Sequence, residues 1–194
     1  REAEADVPLV VIGSDCVNRF TRDAVERGLI EPLDLGAGSD AYRIVSARDG
    51  ARDLLFLAGG NGRSTLYAVY DFFERQAGCR YFWDGDVIPP GDSIPMTGLD
   101  IREEPRFYYR GLRYFAHRSL SRFQAEHWGP AEWEREIDWI LKKRLNLFML
   151  RIGMDDVFQK AFPDIVPYPP ADSTLPEAKP RSFYDRTTAW PLAY

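Results

Sequence analysis

The chain has 194 residues, 45% hydrophobic, 14% aromatic and 28% charged, which fits one large globular domain or two small ones. Its net charge of -5 argues against non-specific nucleic-acid binding, and no apolar run approaches the ~18 residues of a membrane helix. Two cysteines, Cys16 and Cys79, with only His117 and His127, form neither a dense disulfide framework nor a zinc-site spacing; the two thiols are either free or joined.

The opening REAEA matches the remnant of a trimmed yeast secretion leader, so residues 1–5 read as an expression scar or as a native charged tail. VPLVVIG (7–13) is short, β-branched and closed by Gly13, which predicts a buried strand. Ser14 or Asp15 is placed to cap a helix reaching Arg27, with Phe20, Ala24 and Val25 inward and Gly28 at its exit. A Gly-, Pro- and Asp-rich loop covers 29–40. AYRIVSAR (41–48) alternates Tyr42, Ile44 and Ala47 as a second strand, and DLLFLAG (53–59), apolar on both faces, is a third. Residues 64–77 carry Leu66, Tyr70, Phe73 and Ala77 on one helical stripe, ended by Gly78. RYFWDGD (80–86) is a strand, and the proline-rich stretch to Pro95 an exit loop. This alternation predicts a small α/β layer.

A boundary falls at 100–107, where charge rises and Pro105 interrupts pairing. YYRGLRYFAHR (108–118) then reads as a strand. Residues 129–146 make the clearest helix, with Pro130 in the first turn and an apolar stripe of Trp133, Ile137, Ile140 and Leu141. Glu132 and Glu134 near its start and Lys142, Lys143 and Arg144 near its end suit the helix dipole, and Asn146 is placed to close it. LFMLRIG (147–153) is a second strand, DDVFQKAF (155–162) a short helix stopped by Pro163, and the last 30 residues are proline-rich and aperiodic. Strand, helix, strand and helix in succession require a parallel sheet. A closed βα barrel takes ~250 residues, so this half is the start of a barrel or part of an open sheet.

The chemistry concentrates at strand ends, where ligands meet parallel α/β sheets. Arg113, His117 and Arg118 follow the first strand of the second half; Arg151, Asp155 and Asp156 follow the next. An arginine-rich rim suits a carboxylate or a hydroxyl-dense sugar, or else forms loop-holding salt bridges, with Asp155 as a helix cap. Asp155 and Asp156, being neighbours at a helix start, diverge by about 100° and do not make a glycosidase acid/nucleophile pair. Trp128, in a loop before a helix, is the best sugar-stacking tryptophan, whereas Trp133 belongs to a core stripe. GGNGRS (59–64) is either a phosphate cradle or a tight glycine turn; Thr65 occupies the place of the third glycine of a dinucleotide fingerprint.

WEREIDW, the leucine-rich strand after it and DDVFQKAF resemble the α-N-acetylglucosaminidase family of glycoside hydrolases. FYYRGLRYF resembles that family's approach to its first barrel strand. GGNGRSTLYAVYDFFERQAGCRYF is similar to the small α/β domain preceding the barrels of that family, of β-hexosaminidases and of α-glucuronidases. The resemblance implies an α/β accessory domain over 6–104 and the first βα units of a (β/α)8 barrel over 105–194, with catalytic carboxylates on later strands. It implies an exo-acting glycosidase for terminal α-linked sugars, inactive as this chain alone, and secreted, periplasmic or lysosomal. Its partners would be a carbohydrate substrate and the remainder of a parent chain, without cofactor, metal, nucleic acid or membrane. Arg113, His117, Arg118, Arg151, Asp155 and Trp128 would line the pocket. Gly111 and Arg113 stand where the family presents an Asn and a Cys to the sugar; the arginine suits a uronic acid as an alternative to an N-acetylhexosamine. The rival readings are a non-catalytic carbohydrate-binding or scaffolding module, and a nucleotide-binding domain built on GGNGRS.

Overall fold

A computed structural model describes residues 7–113 and 129–149. The chain divides into two compact units: Arg1–Arg110 with Arg135–Asn146, and Gly111–Glu134 with Leu147–Tyr194. The predicted helix DDVFQKAF and the proline-rich tail lie outside the described residues.

The first unit is α/β. Its elements are β1 (Leu9–Ile12), α1 (Arg19–Glu26), β2 (Tyr42–Asp49), β3 (Arg52–Gly59), α2 (Gly62–Gln76), β4 (Arg80–Phe82), β5 (Gly85–Val87) and β6 (Asp100–Glu103). A mixed sheet runs in the order β1-β3-β2-β6, with β1 parallel to β3 and the other pairs antiparallel. β3 is central, and its alternation feeds both faces as its sequence predicts. Leu54, Phe56 and Ala58 join Val11, Ala24, Ile30, Leu33 and Val45 on one side. Leu55 and Leu57 join Tyr42, Ile44, Tyr67, Ala68 and Phe72 on the other. The sheet thus has a core on each face, which explains why β3 reads as a continuous apolar run.

Several expectations are corrected. β1 is an edge strand rather than a buried one: Val11 faces the core, while Val10 (44%) and Ile12 (54%) are exposed. Asn18, not Ser14 or Asp15, caps α1, accepting the Phe20 amide at 2.8 Å. The inner face of α1 is Thr21 and Ala24, with Val25 half-buried against the same core as expected; Phe20 is exposed. Thr21 goes inside because its hydroxyl donates to the Gly13 carbonyl at 2.8 Å. Gly28 leaves the helix with φ +69°, as expected.

The buried face of α2 is Ser64, Tyr67, Ala68, Asp71 and Phe72, whereas Leu66 and Phe73 of the expected stripe are exposed. Two polar residues sit on that face because both are bonded: Ser64 in the cap, and Asp71 to Arg75 and Arg144. RYFWDGD is a hairpin, β4–β5, with Phe82 opposite Gly85. The charged stretch 100–103 is itself a strand, β6, along β2. Cys16 is exposed, Cys79 is buried, and both are free thiols.

In the second half, β7 (Gly111–Arg113) and β8 (Leu147–Met149) are separated in sequence by α3 (Pro130–Lys142) and pair in parallel, as the strand-helix-strand reading requires. Gly111 permits the close approach of the two strands, since a Cβ there would lie 2.5 Å from the Leu147 carbonyl oxygen. The α3 stripe is rotated from the expected one: Glu136 and Ile140 are buried, and Ile137 is exposed. Glu136 accepts the Trp83 indole N–H at 2.7 Å. α3 ends at Lys142 rather than Asn146. Arg144 turns the chain with φ +59°, and the Leu145 amide returns to the Ile140 carbonyl.

Candidate functional site

Of the residues singled out by sequence, Arg113 lies in β7 opposite Met149. His117, Arg118, Trp128, Arg151 and Asp155 lie outside the described residues. The described residues therefore bring no two of them together. They contain a different polar centre, which the sequence reading missed.

That centre is Asp40, at the end of the 29–40 loop and just before β2. Its side chain is only 6% exposed. Asp40 Oδ1 accepts from Arg63 Nη2 at 2.7 Å, Arg63 Nε at 3.0 Å and Asn61 Nδ2 at 3.0 Å. Asp40 Oδ2 accepts from Arg110 Nη2 at 2.7 Å and Asn146 Nδ2 at 2.8 Å. Burial pushes the carboxyl toward neutrality, but donors from Asn61, Arg110, Arg63 and Asn146 outweigh it and hold Asp40 well below the usual carboxylate range. A carboxylate so satisfied is a poor proton donor or nucleophile at neutral pH. The arrangement suits it to holding chain segments together.

GGNGRS supplies one side of this centre, and its geometry favours the tight turn over the phosphate cradle. Asn61 Oδ1 accepts the Ser64 amide at 2.8 Å, and Ser64 Oγ accepts the Asn61 amide at 3.0 Å, a reciprocal capping box. The Asn61 and Ser64 amides are thus engaged, and the Asp40 charge beside them opposes an anion. Gly59 and Gly60 serve backbone approach: a Cβ at Gly59 would stand 2.2 Å from the Thr65 nitrogen, and one at Gly60 2.5 Å from the Gly36 oxygen.

A cavity of about 250 Å³ adjoins the centre, lined by Asp40, Tyr42, Tyr67, Glu103, Arg110 and Arg144 among others. On its wall Arg110 pairs with Asp40, while Arg144 and Glu103 pair with residues behind it. Arg144 Nη1 donates to Asp71 Oδ1 at 3.1 Å and Glu74 Oε2 at 2.9 Å, and Arg75 bridges Asp71 and Glu103. The Tyr67 hydroxyl donates to the Leu145 carbonyl at 2.7 Å, and the Arg110 guanidinium lies 5.9 Å from the Tyr67 ring centre. Burial raises the Tyr42 and Tyr67 hydroxyls above the ordinary tyrosine value, so both stay neutral donors. Among the described residues no group of three or more His, Cys, Asp or Glu could hold a metal ion.

The signals for this centre were faint. Asn61 inside GGNGRS is a natural cap, but its second role as a donor to Asp40 depends on a partner 21 residues away. Asn146 reaches Asp40 across 106 residues.

No family model matches the chain. Over 125 residues it is 23% identical to human α-N-acetylglucosaminidase, covering 64% of the chain and 16% of that protein. Among solved structures, the family 89 glycoside hydrolase from Clostridium perfringens in complex with 2-acetamido-1,2-dideoxynojirmycin matches with TM-score 0.52 at 18% identity, over 82% of this chain and 15% of that one. A variant of the Clostridium perfringens protein with two Glu-to-Gln substitutions, in complex with its substrate GlcNAc-α-1,4-galactose, matches with TM-score 0.51 at 19% identity, over 66% and 14% of the two chains. These likenesses bear out the resemblance to α-N-acetylglucosaminidases read from the sequence. The chain spans about one sixth of the length of these relatives.

Proposed function

We propose that this chain is the N-terminal portion of an exo-acting glycoside hydrolase that removes terminal α-linked N-acetylglucosamine. The observation that carries the proposal is the 125-residue match to human α-N-acetylglucosaminidase, supported by fold likeness to a glycosidase bound to GlcNAc-α-1,4-galactose. On this reading residues 6–104 form the α/β accessory domain and 105–194 open a (β/α)8 barrel. The parallel β7–β8 pair with α3 between its strands in sequence is consistent with the first such unit. Arg113, His117, Arg118, Trp128, Arg151 and Asp155 line the sugar pocket, and the carboxylate pair that breaks the glycosidic bond comes from later strands. The protein works in a secreted, periplasmic or lysosomal compartment, with carbohydrate and the remainder of its own chain as partners.

Position 113 decides between two substrates. An arginine is a bidentate partner for a carboxylate, so a uronic acid is the competing terminal sugar. The test is hydrolysis of p-nitrophenyl N-acetyl-α-glucosaminide and of the matching α-glucuronide by protein expressed from the complete reading frame. Release from the first substrate is expected. Release from the second alone, lost selectively in Arg113→Ala, would transfer the specificity to uronic acids. A folded protein that cleaves neither, while the isolated chain binds glycans in calorimetry, would replace the enzyme reading with a carbohydrate-binding module.

A further inference from the structure

Arg110 and Asn146 are the residues immediately before β7 and β8 in the sequence. Their backbones are tied directly: the Asn146 amide donates to the Arg110 carbonyl at 2.8 Å, and the Arg110 amide donates to Asn146 Oδ1 at 2.8 Å. The remaining amide group of Asn146 and one arm of Arg110 both end on the same oxygen of Asp40, at 2.8 and 2.7 Å. Arg110 Nε fixes the turn before Asn146 by donating to the Arg144 carbonyl at 2.8 Å. Asp40 is itself anchored to α2 through Asn61 and Arg63.

Such a tie answers a particular need. In a hairpin, the turn sets the register of the two strands, but a parallel pair joined by a long crossover has no turn to do so. Within the described residues β7 and β8 pair over Gly111–Arg113 and Leu147–Met149, directly after Arg110 and Asn146. We propose that Asp40 is a positioning residue that sets the lead-ins of β7 and β8 side by side and so fixes the register Gly111↔Leu147, Leu112↔Phe148, Arg113↔Met149. An asparagine is required at 146 because one side chain must both accept from Arg110 and donate to Asp40; a carboxylate there would repel Asp40. The consequence for catalysis rests on the glycosidase reading: residues beyond the carboxyl ends of β7 and β8 would take their places from this register. The tie itself does not depend on that reading.

The test is amide hydrogen exchange on this chain, comparing the unaltered protein with Asp40→Asn. Loss of the charged acceptor should speed exchange at the β7 and β8 amides by at least about tenfold, with the amides of β3 unchanged. Unchanged rates in β7 and β8 would overturn the proposal. So would a uniform rise that includes β3, because that reports general destabilisation. If Asp40→Asn does not fold, Asn146→Ala, which leaves Asp40 paired with Asn61, Arg63 and Arg110, is judged by the same pattern. Because exchange needs no substrate, its outcome is independent of whether the parent cleaves sugars.

Discussion

Asn61 is a helix cap whose replacement by another good cap should fail. At an ordinary helix N-terminus asparagine and aspartate are nearly equivalent, since either side-chain oxygen accepts the free amide and the added charge suits the dipole. Here Asn61 also uses its amide nitrogen, donating to the Gly38 carbonyl at 3.0 Å, the Ser39 carbonyl at 2.8 Å and Asp40 Oδ1 at 3.0 Å. Asn61→Ala removes the cap, worth about 1 kcal/mol, two carbonyl bonds worth about 0.5 kcal/mol each once water and Ser64 Oγ compensate, and a donor to the Asp40 carboxylate worth about 1 kcal/mol while Arg63 stays on the same oxygen, for a total of about 3 kcal/mol. Asn61→Asp keeps the cap but loses every donor and sets a second carboxylate about 3 Å from Asp40, so it should cost at least as much as alanine at neutral pH. The introduced carboxyl would titrate above its unfolded value of about 3.9. Its penalty should therefore grow as pH rises from about 4 and fade below it. Urea unfolding followed by circular dichroism, at pH 4 and pH 7 with unchanged m-values, measures both effects. Aspartate as stable as asparagine at pH 7 would refute the reasoning, since it would mean that the amide nitrogen contributes nothing.

The other expectations concern the same region. Gly60→Ala should destabilise by about 1–3 kcal/mol because its Cβ would meet the Gly36 and Ser39 oxygens, whereas Gly62→Ala, with nothing within 4 Å, should be neutral or slightly stabilising in the same urea titration. Tyr67→Phe leaves the Leu145 carbonyl without its 2.7 Å donor and should cost about 1–2 kcal/mol in that assay. Asp40 is depressed in the folded chain, so its contribution is present above the unfolded carboxyl value and is lost as pH falls below about 4; Asp40→Asn should flatten the acid limb of the stability profile.

What the sequence made legible was local. β3 announces itself by an apolar run bounded by charge and glycine, α2 and α3 by helical periodicity, and the glycine exit of α1 by Gly28. The errors arose where distant partners decide burial. Asp71 displaced the expected stripe of α2 because Arg75 and Arg144 neutralise it, and Glu136 did the same on α3 with Trp83 as a donor. β1 has the composition of an interior strand, yet the sheet order puts it at an edge, which no single-strand pattern encodes. β6 was hidden because Asp100 and Arg102 look like linker residues; Asp100 is held to the sheet by Arg43 at 3.0 Å. The Asp40 centre draws on four segments, and only their convergence in the fold gives it meaning.

The edge position of β1 bears on how the protein behaves at high concentration. Among the described residues its outer side has no neighbouring strand, and Val10 and Ile12 turn oily side chains to water there; the Ile12 carbonyl accepts the Asn18 side-chain amide at 2.9 Å. A second molecule can add itself there as an extra strand, the usual first step toward aggregation. Val10→Lys, by placing a charge on the rim without touching the core, should keep concentrated samples monodisperse in light scattering.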